Sequence, residues 1–147
     1  MKLCQSLLVQ KQNILMSNKE PINIDIYREF NFIVFNFIDE FTQKKLTRFV
    51  LETKKEFENF CYKIFVQEKV FKNNVEFKMK NIFIEAISFH SSGKAKFEKT
   101  FPKLFGKYNF TITNLSGETS NFILNFTKQK IEVVKQPSHK FLNLLAK

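Results

Sequence analysis

From residue 22 onwards, apolar and polar positions alternate with a period of two. Ile22, Ile24 and Ile26 stand against Asn23, Asp25 and Tyr27, and Ile33, Phe35 and Phe37 alternate again after a polar break at Arg28 and Glu29. A half-buried strand has this period because successive side chains leave opposite faces, so two paired strands are predicted. Before them, Leu3, Leu7, Leu8, Ile14 and Leu15 are spaced loosely as in a helix, which gives a weak helix or an ordered arm. The period then lengthens. Leu46, Phe49, Val50, Thr53, Phe57, Phe60, Cys61 and Ile64 recur every three or four residues, with Lys44, Lys45, Glu52, Lys55, Glu56 and Glu58 on the other side. That pattern predicts an amphipathic helix.

Around Cys61 the period shortens again through Tyr62, Ile64 and Val66. Asn73 and Asn74 supply a turn, and Val75, Phe77 and Met79 alternate with Glu76, Lys78 and Lys80, which predicts a hairpin. Residues 82–87 are apolar on both faces and read as a central strand ended by Ser91, Ser92 and Gly93. Residues 94–107, with Pro102 and Gly106, read as a basic connection. Strands are predicted at 108–113, 122–126 and 131–134, with a turn at Ser116 and Gly117. Pro137 and Ser138 then open a terminal helix bearing Phe141, Leu142, Leu144 and Leu145, with Ser138 as N-cap. The expected fold is α+β: two small sheet-plus-helix units in tandem, mostly antiparallel, with an arm at 1–21, a first unit at 22–65 and a second, basic unit at 66–147.

Composition supports a folded chain, since 147 residues with 44% hydrophobic and 26% charged side chains suffice for a buried core. It is also skewed: 20 Phe and 24 Lys plus Arg accompany only 3 Gly, 3 Pro and no Trp. Codons rich in A and T produce this bias, so part of the formal +10 charge reflects nucleotide composition. The distribution says more. Residues 1–90 carry 14 basic and 11 acidic side chains, whereas residues 91–147 carry 10 Lys against Glu98, Glu118 and Glu132. A one-sided positive field attracts phosphate backbones. Cys4 and Cys61 form neither a disulfide framework nor a zinc set. The longest apolar stretch, residues 30–38, is broken by Asn31 and Asn36 and falls far short of the ~20 residues of a membrane-spanning helix. Met1, together with the A+T-rich composition, leads to the expectation of an organelle-encoded mitochondrial product.

Catalytic groups are sparse. His90 and His139 are the two histidines and Asp25 and Asp39 the two aspartates, and no nucleophile-elbow, zincin, Walker or dinucleotide motif is present. No enzymatic activity, cofactor, metal or small-molecule substrate is therefore expected. The positions predicted to meet phosphate are Lys94, Lys96, Lys99, Lys103, Lys107, Lys128, Lys130, Lys135, Ser138, His139 and Lys140. The last three lie at the N-terminus of the terminal helix, where unpaired N–H groups and the helix dipole favour anions. Phe and Tyr interleave with Lys through residues 96–108, an arrangement that serves either base stacking or an aromatic core.

Three segments carry a resemblance to a known family. Thr47-Arg48-Phe49-Val50-Leu51, then residues 82–87 followed by Ser88-Phe89-His90, then Lys130-Ile131-Glu132-Val133-Val134 leading into residues 141–146, resemble the large-subunit ribosomal protein L-six family. That family consists of two sheet-and-helix units in series. Val133-Val134-Lys135-Gln136-Pro137-Ser138-His139 is similar to part of the small-subunit S-ten family. The resemblance implies a structural constituent of the mitochondrial ribosome, partnered by rRNA and neighbouring ribosomal proteins. Two alternatives stand beside it. One is a single-stranded nucleic-acid-binding barrel in a DNA or telomere complex, nuclear or cytoplasmic; the other is a non-catalytic interaction subunit of an enzyme complex, docking through residues 30–38.

Overall fold

The computed structural model describes residues 29–58, 61–85 and 93–147. Among them there are nine strands and no helix. They are β1 (Phe30–Ile38), β2 (Lys45–Phe57), β3 (Tyr62–Phe71), β4 (Asn74–Ile84), β5 (Gly93–Pro102), β6 (Gly106–Thr113), β7 (Thr119–Phe126), β8 (Ile131–Lys135) and β9 (Leu142–Ala146). One sheet holds all nine in the order β8-β7-β6-β4-β3-β5-β2-β1-β9, and it curls into a nearly closed barrel. Five neighbouring pairs are antiparallel; β1–β9, β3–β5 and β4–β6 are parallel. Odd-numbered strands therefore run one way and even-numbered strands the other. The β1–β2, β3–β4, β5–β6 and β7–β8 connections all emerge at one end, called the rim here.

Alternation sends one set of side chains inward. Phe30, Phe32 and Val34 of β1, Phe49 and Leu51 of β2, Val75, Phe77 and Met79 of β4, Phe110 and Ile112 of β6, and Phe122, Leu124 and Phe126 of β7 are almost completely buried. Phenylalanine fills the lumen. Phe32 lies at the centre of the cluster, with ring centroids 5.7 Å from Phe49, 6.1 Å from Phe77, 5.9 Å from Phe110 and 5.4 Å from Phe122. Phe110 stacks on Phe122 at 5.1 Å. Such pairs add about 0.5–1.5 kcal/mol each beyond area burial.

The all-β barrel corrects the α+β expectation. The helix predicted from Leu46 to Ile64 is instead β2 and the start of β3, and Thr47-Arg48-Phe49-Val50-Leu51 lies within β2. β2 sits between β1 and β5, and its outward positions include Leu46 and Val50, so both faces carry apolar residues and the period of two is masked. The terminal helix is instead β9, whose Leu142 and Leu144 pair in parallel with Phe30 and Phe32. Residues 94–102, read as a connection, form most of β5. Strands at 33–37, 108–113, 122–126 and 131–134 and the β3–β4 hairpin stand as predicted. The boundary placed between residues 65 and 66 falls inside β3, where the β3–β4 register shifts. The predicted arm at 1–21, the strand at 22–26, Cys4 and His90 lie outside the described residues.

One buried polar group replaces part of a broken ladder. The β2–β5 register shifts between Glu52 and Glu56, and Thr53, fully buried there, accepts from the Ala95 N–H at 3.0 Å. The same hydroxyl donates to the Lys55 carbonyl at 2.8 Å. Thr53→Val keeps the shape and removes both bonds, so a loss of roughly 1–3 kcal/mol is expected. A lowered urea midpoint for Thr53→Val, with Thr53→Ser close to wild type, is the check.

Candidate nucleic-acid interface

The four connections at the rim bring together Lys44, Lys45, Lys72, Lys103, Lys107, Lys128 and Lys130, all exposed. Three carboxylates, Asp39, Glu40 and Glu132, share this end. At the opposite end, Glu29, Glu52, Glu56, Glu58, Glu85 and Glu118 offset Lys54, Lys55, Lys63, Lys94, Lys135 and Lys140. Of the two ends, only the rim thus carries a basic excess; the remaining excess, from Arg48, Lys69, Lys78, Lys80, Lys96, Lys99 and Lys147 against Glu68, Glu76 and Glu98, is spread over the barrel wall.

Local hydrogen bonds hold these connections in place. In the β1–β2 turn, Asp39 Oδ2 accepts from Thr42 N at 2.9 Å and Thr42 Oγ1 at 2.6 Å, and these bonds hold the Asp39 carboxyl below its ordinary pKa. Gln43 closes the turn with a φ of 59° and Lys72 opens the next with 54°, so the two described non-glycine residues in the left-handed region both lie on the rim. Asn73 Nδ2 donates to the Lys107 carbonyl at 2.8 Å, tying the β3–β4 turn to β6. Lys45 Nζ donates to the Lys128 carbonyl at 3.4 Å, tying the β1–β2 turn to the β7–β8 turn. Asn125 donates to Glu132 at 3.0 Å, the main reason that the Glu132 carboxyl is held below its usual range.

Aromatic rings stand among these lysines. Phe41 is 95% exposed, Phe71 63% and Phe105 61%, on three different rim connections or strand ends. Lys72 Nζ lies 5.3 Å from the Phe71 ring centroid. Exposed rings beside ammonium groups match a flexible nucleic acid, whose bases stack on the one and whose phosphates meet the other.

The positions predicted from sequence do not form one surface. Lys103, Lys107, Lys128 and Lys130 reach the rim, with Lys130 3.5 Å from Glu132. Lys96 and Lys99 lie on the barrel wall, Lys99 paired with Glu68 at 3.2 Å. Lys94, Lys135, Ser138, His139 and Lys140 are at the opposite end, with Lys94 3.3 Å from Glu52. No helix begins at Ser138. Its Oγ accepts from Asn121 N at 2.9 Å, and His139 N donates to Ser120 Oγ at 3.1 Å, so these residues pin the β8–β9 connection to β7. The His139 ring is also engaged: Nδ1 accepts from Phe141 N at 3.2 Å, and Nε2 lies 3.1 Å from Glu118. Sequence reasoning missed Lys44, Lys45, Lys72, Phe41 and Phe71, whose only signal was proximity to turns, whereas Phe105 belongs to the interleave of Lys and aromatic residues noted at 96–108.

A second outward surface is apolar. Ile33, Phe35 and Phe37 of β1, Leu46 and Val50 of β2, and Leu145 of β9 share the outer face, with the Arg48 guanidinium 4.5 Å from the centre of the Phe37 ring. Among the described residues there is no cluster of three or more metal-ligating side chains, and no helix is long and apolar enough to cross a membrane. The chain matches no protein-family model, no curated protein and no solved structure.

Proposed function

We propose that the protein is a non-catalytic nucleic-acid-binding barrel that holds RNA at its rim, as a structural component of a ribonucleoprotein particle. The observation that carries this reading is the meeting of seven exposed lysines with the exposed rings of Phe41, Phe71 and Phe105 at one end of a barrel whose other end is charge-balanced. Its lumen is filled by Phe32, Phe49, Phe77, Phe110 and Phe122, so ligand contact belongs to the outside. The mitochondrial ribosome is the proposed particle, with rRNA as partner. Sedimentation of the native protein tests this placement: co-migration with mitochondrial ribosomal particles at low salt, with release at high salt, is expected. Sedimentation only at the top of the gradient at low salt contradicts it.

The outward Ile33, Phe35, Phe37 and Leu145 favour a second reading, in which this face packs on a neighbouring protein of the same particle. Charge reversal at the rim leaves such packing intact, whereas Phe35→Asp abolishes it.

A further inference from the structure

The barrel wall has one weak seam. β3 and β5 are neighbours in the sheet, yet they share only the Lys63–Lys96 pairing, whereas β3 pairs with β4 along its whole length. Among the described residues no other β3–β5 pairing occurs, and two openings that share Glu68 lie along the seam. The upper one, ≈ 610 Å³, is lined by Tyr62, Phe65, Phe83 and Phe97 among others; the lower one, ≈ 380 Å³, is lined by Lys72, Lys103 and Tyr108 among others. Glu68 lines both, and its ion pair with Lys99 bridges the seam at 3.2 Å. The groove therefore runs from the basic rim up the barrel wall.

We infer that this groove receives unpaired bases of the same nucleic acid whose phosphates the rim holds, a reading that rests on the proposed rim function. Phe65 is 56% exposed and Phe83 40%. Because Lys63 pairs with Phe83 and Asn81 with Phe65, the two rings are diagonal neighbours on the outer face of the hairpin, close enough to form one platform. Away from its rim end the groove's charges balance: Lys63 lies 3.3 Å from Glu85, Lys94 3.3 Å from Glu52, Lys99 is held by Glu68, and Lys96 is matched in number by Glu98. The rim supplies ammonium groups that, Lys130 apart, have no ion-pair partner among the described residues, and the groove supplies neutral aromatic faces. That division matches the charged and uncharged halves of a nucleotide. A duplex offers the rim its phosphates, but its bases are stacked internally and cannot enter the groove.

Binding of the full chain to a short poly-uridine strand, and to an RNA duplex of equal length, tests the inference at fixed low salt. Wild type should prefer the single strand. The Phe65→Ala/Phe83→Ala variant should bind the single strand roughly tenfold to a hundredfold more weakly, as expected for lost base stacking, with duplex affinity unchanged. Phe65→Tyr/Phe83→Tyr, which keeps two stacking faces, should restore the preference and controls for folding. Unchanged single-strand affinity in the alanine variant overturns the groove assignment, leaves the rim reading standing and gives these rings to a protein contact. Failure of wild type to bind either RNA overturns both.

Discussion

Phe32→Ala is expected to destabilise the barrel by about 3–5 kcal/mol, within reach of the whole stability of a small domain. Phe32 is fully buried and its ring lies within 6.1 Å of four others, from β2, β4, β6 and β7. Truncation opens a cavity at the point where opposite walls of the barrel meet, and neighbours fixed on separate strands cannot all collapse into it. Phe41→Ala provides the contrast. At 95% exposure that ring contributes little to folding, and a change within about 0.5 kcal/mol is expected. Urea unfolding of the two variants separates phenylalanines that build the core from those left outside. A midpoint for Phe32→Ala close to wild type would contradict the ring-filled lumen.

Replacing Lys44, Lys72, Lys103 and Lys128 together by Gln should remove most of the affinity for RNA. Each phosphate neutralised by a lysine releases about 0.7 counterions on a single strand, so four lost contacts lower the slope of log affinity against log salt by about 3. At about 0.1 M salt this corresponds to roughly a thousandfold weaker binding. Folding should be unaffected, because all four side chains are exposed and none has an ion-pair partner among the described residues. Binding isotherms over a range of salt give both quantities.

Much of the barrel was legible where one face of a strand is polar. Tyr108, Phe110 and Ile112 alternate with Asn109, Thr111 and Thr113, and Phe122, Leu124 and Phe126 alternate with Asn121 and Asn125, so β6 and β7 follow from the period alone. The β3–β4 hairpin is written by the same alternation around a polar turn. β2 was not legible, because Leu46 and Val50 on its outer face complete a helical spacing with Phe49, Thr53 and Phe57. β9 has its period of two in Leu142, Leu144 and Ala146, but Phe141 and Leu145 add helical neighbours and Pro137 and Ser138 imitate a helix start. Parallel pairing of β9 with β1, more than a hundred residues away in sequence, decides its state.

The candidate site was legible only in its charge. Net positive charge concentrates in residues 91–147, but an extended strand carries its two ends apart at ~3.3 Å per residue. Lys94 and Lys103 thus finish at opposite ends of β5, and the basic segment divides between rim and far end. Lys44, Lys45 and Lys72 join Lys103 and Lys128 because alternating strand directions gather four connections at one end, a long-range consequence that no local spacing encodes. Phenylalanine was ambiguous for a related reason. Composition makes it abundant, and only the fold separates Phe32, at the core, from Phe41, at the rim.

The most direct measurement compares two variants of equal charge for binding to the same RNA at the same salt. One replaces Lys44, Lys72, Lys103 and Lys128 at the rim by Gln; the other replaces Lys54, Lys55, Lys135 and Lys140 at the far end. Both lower the formal charge by four from +10, so any effect of total charge is identical. Loss of binding in the rim variant, with near wild-type affinity in the other, is the predicted result; equal loss in both would contradict a binding site at the rim.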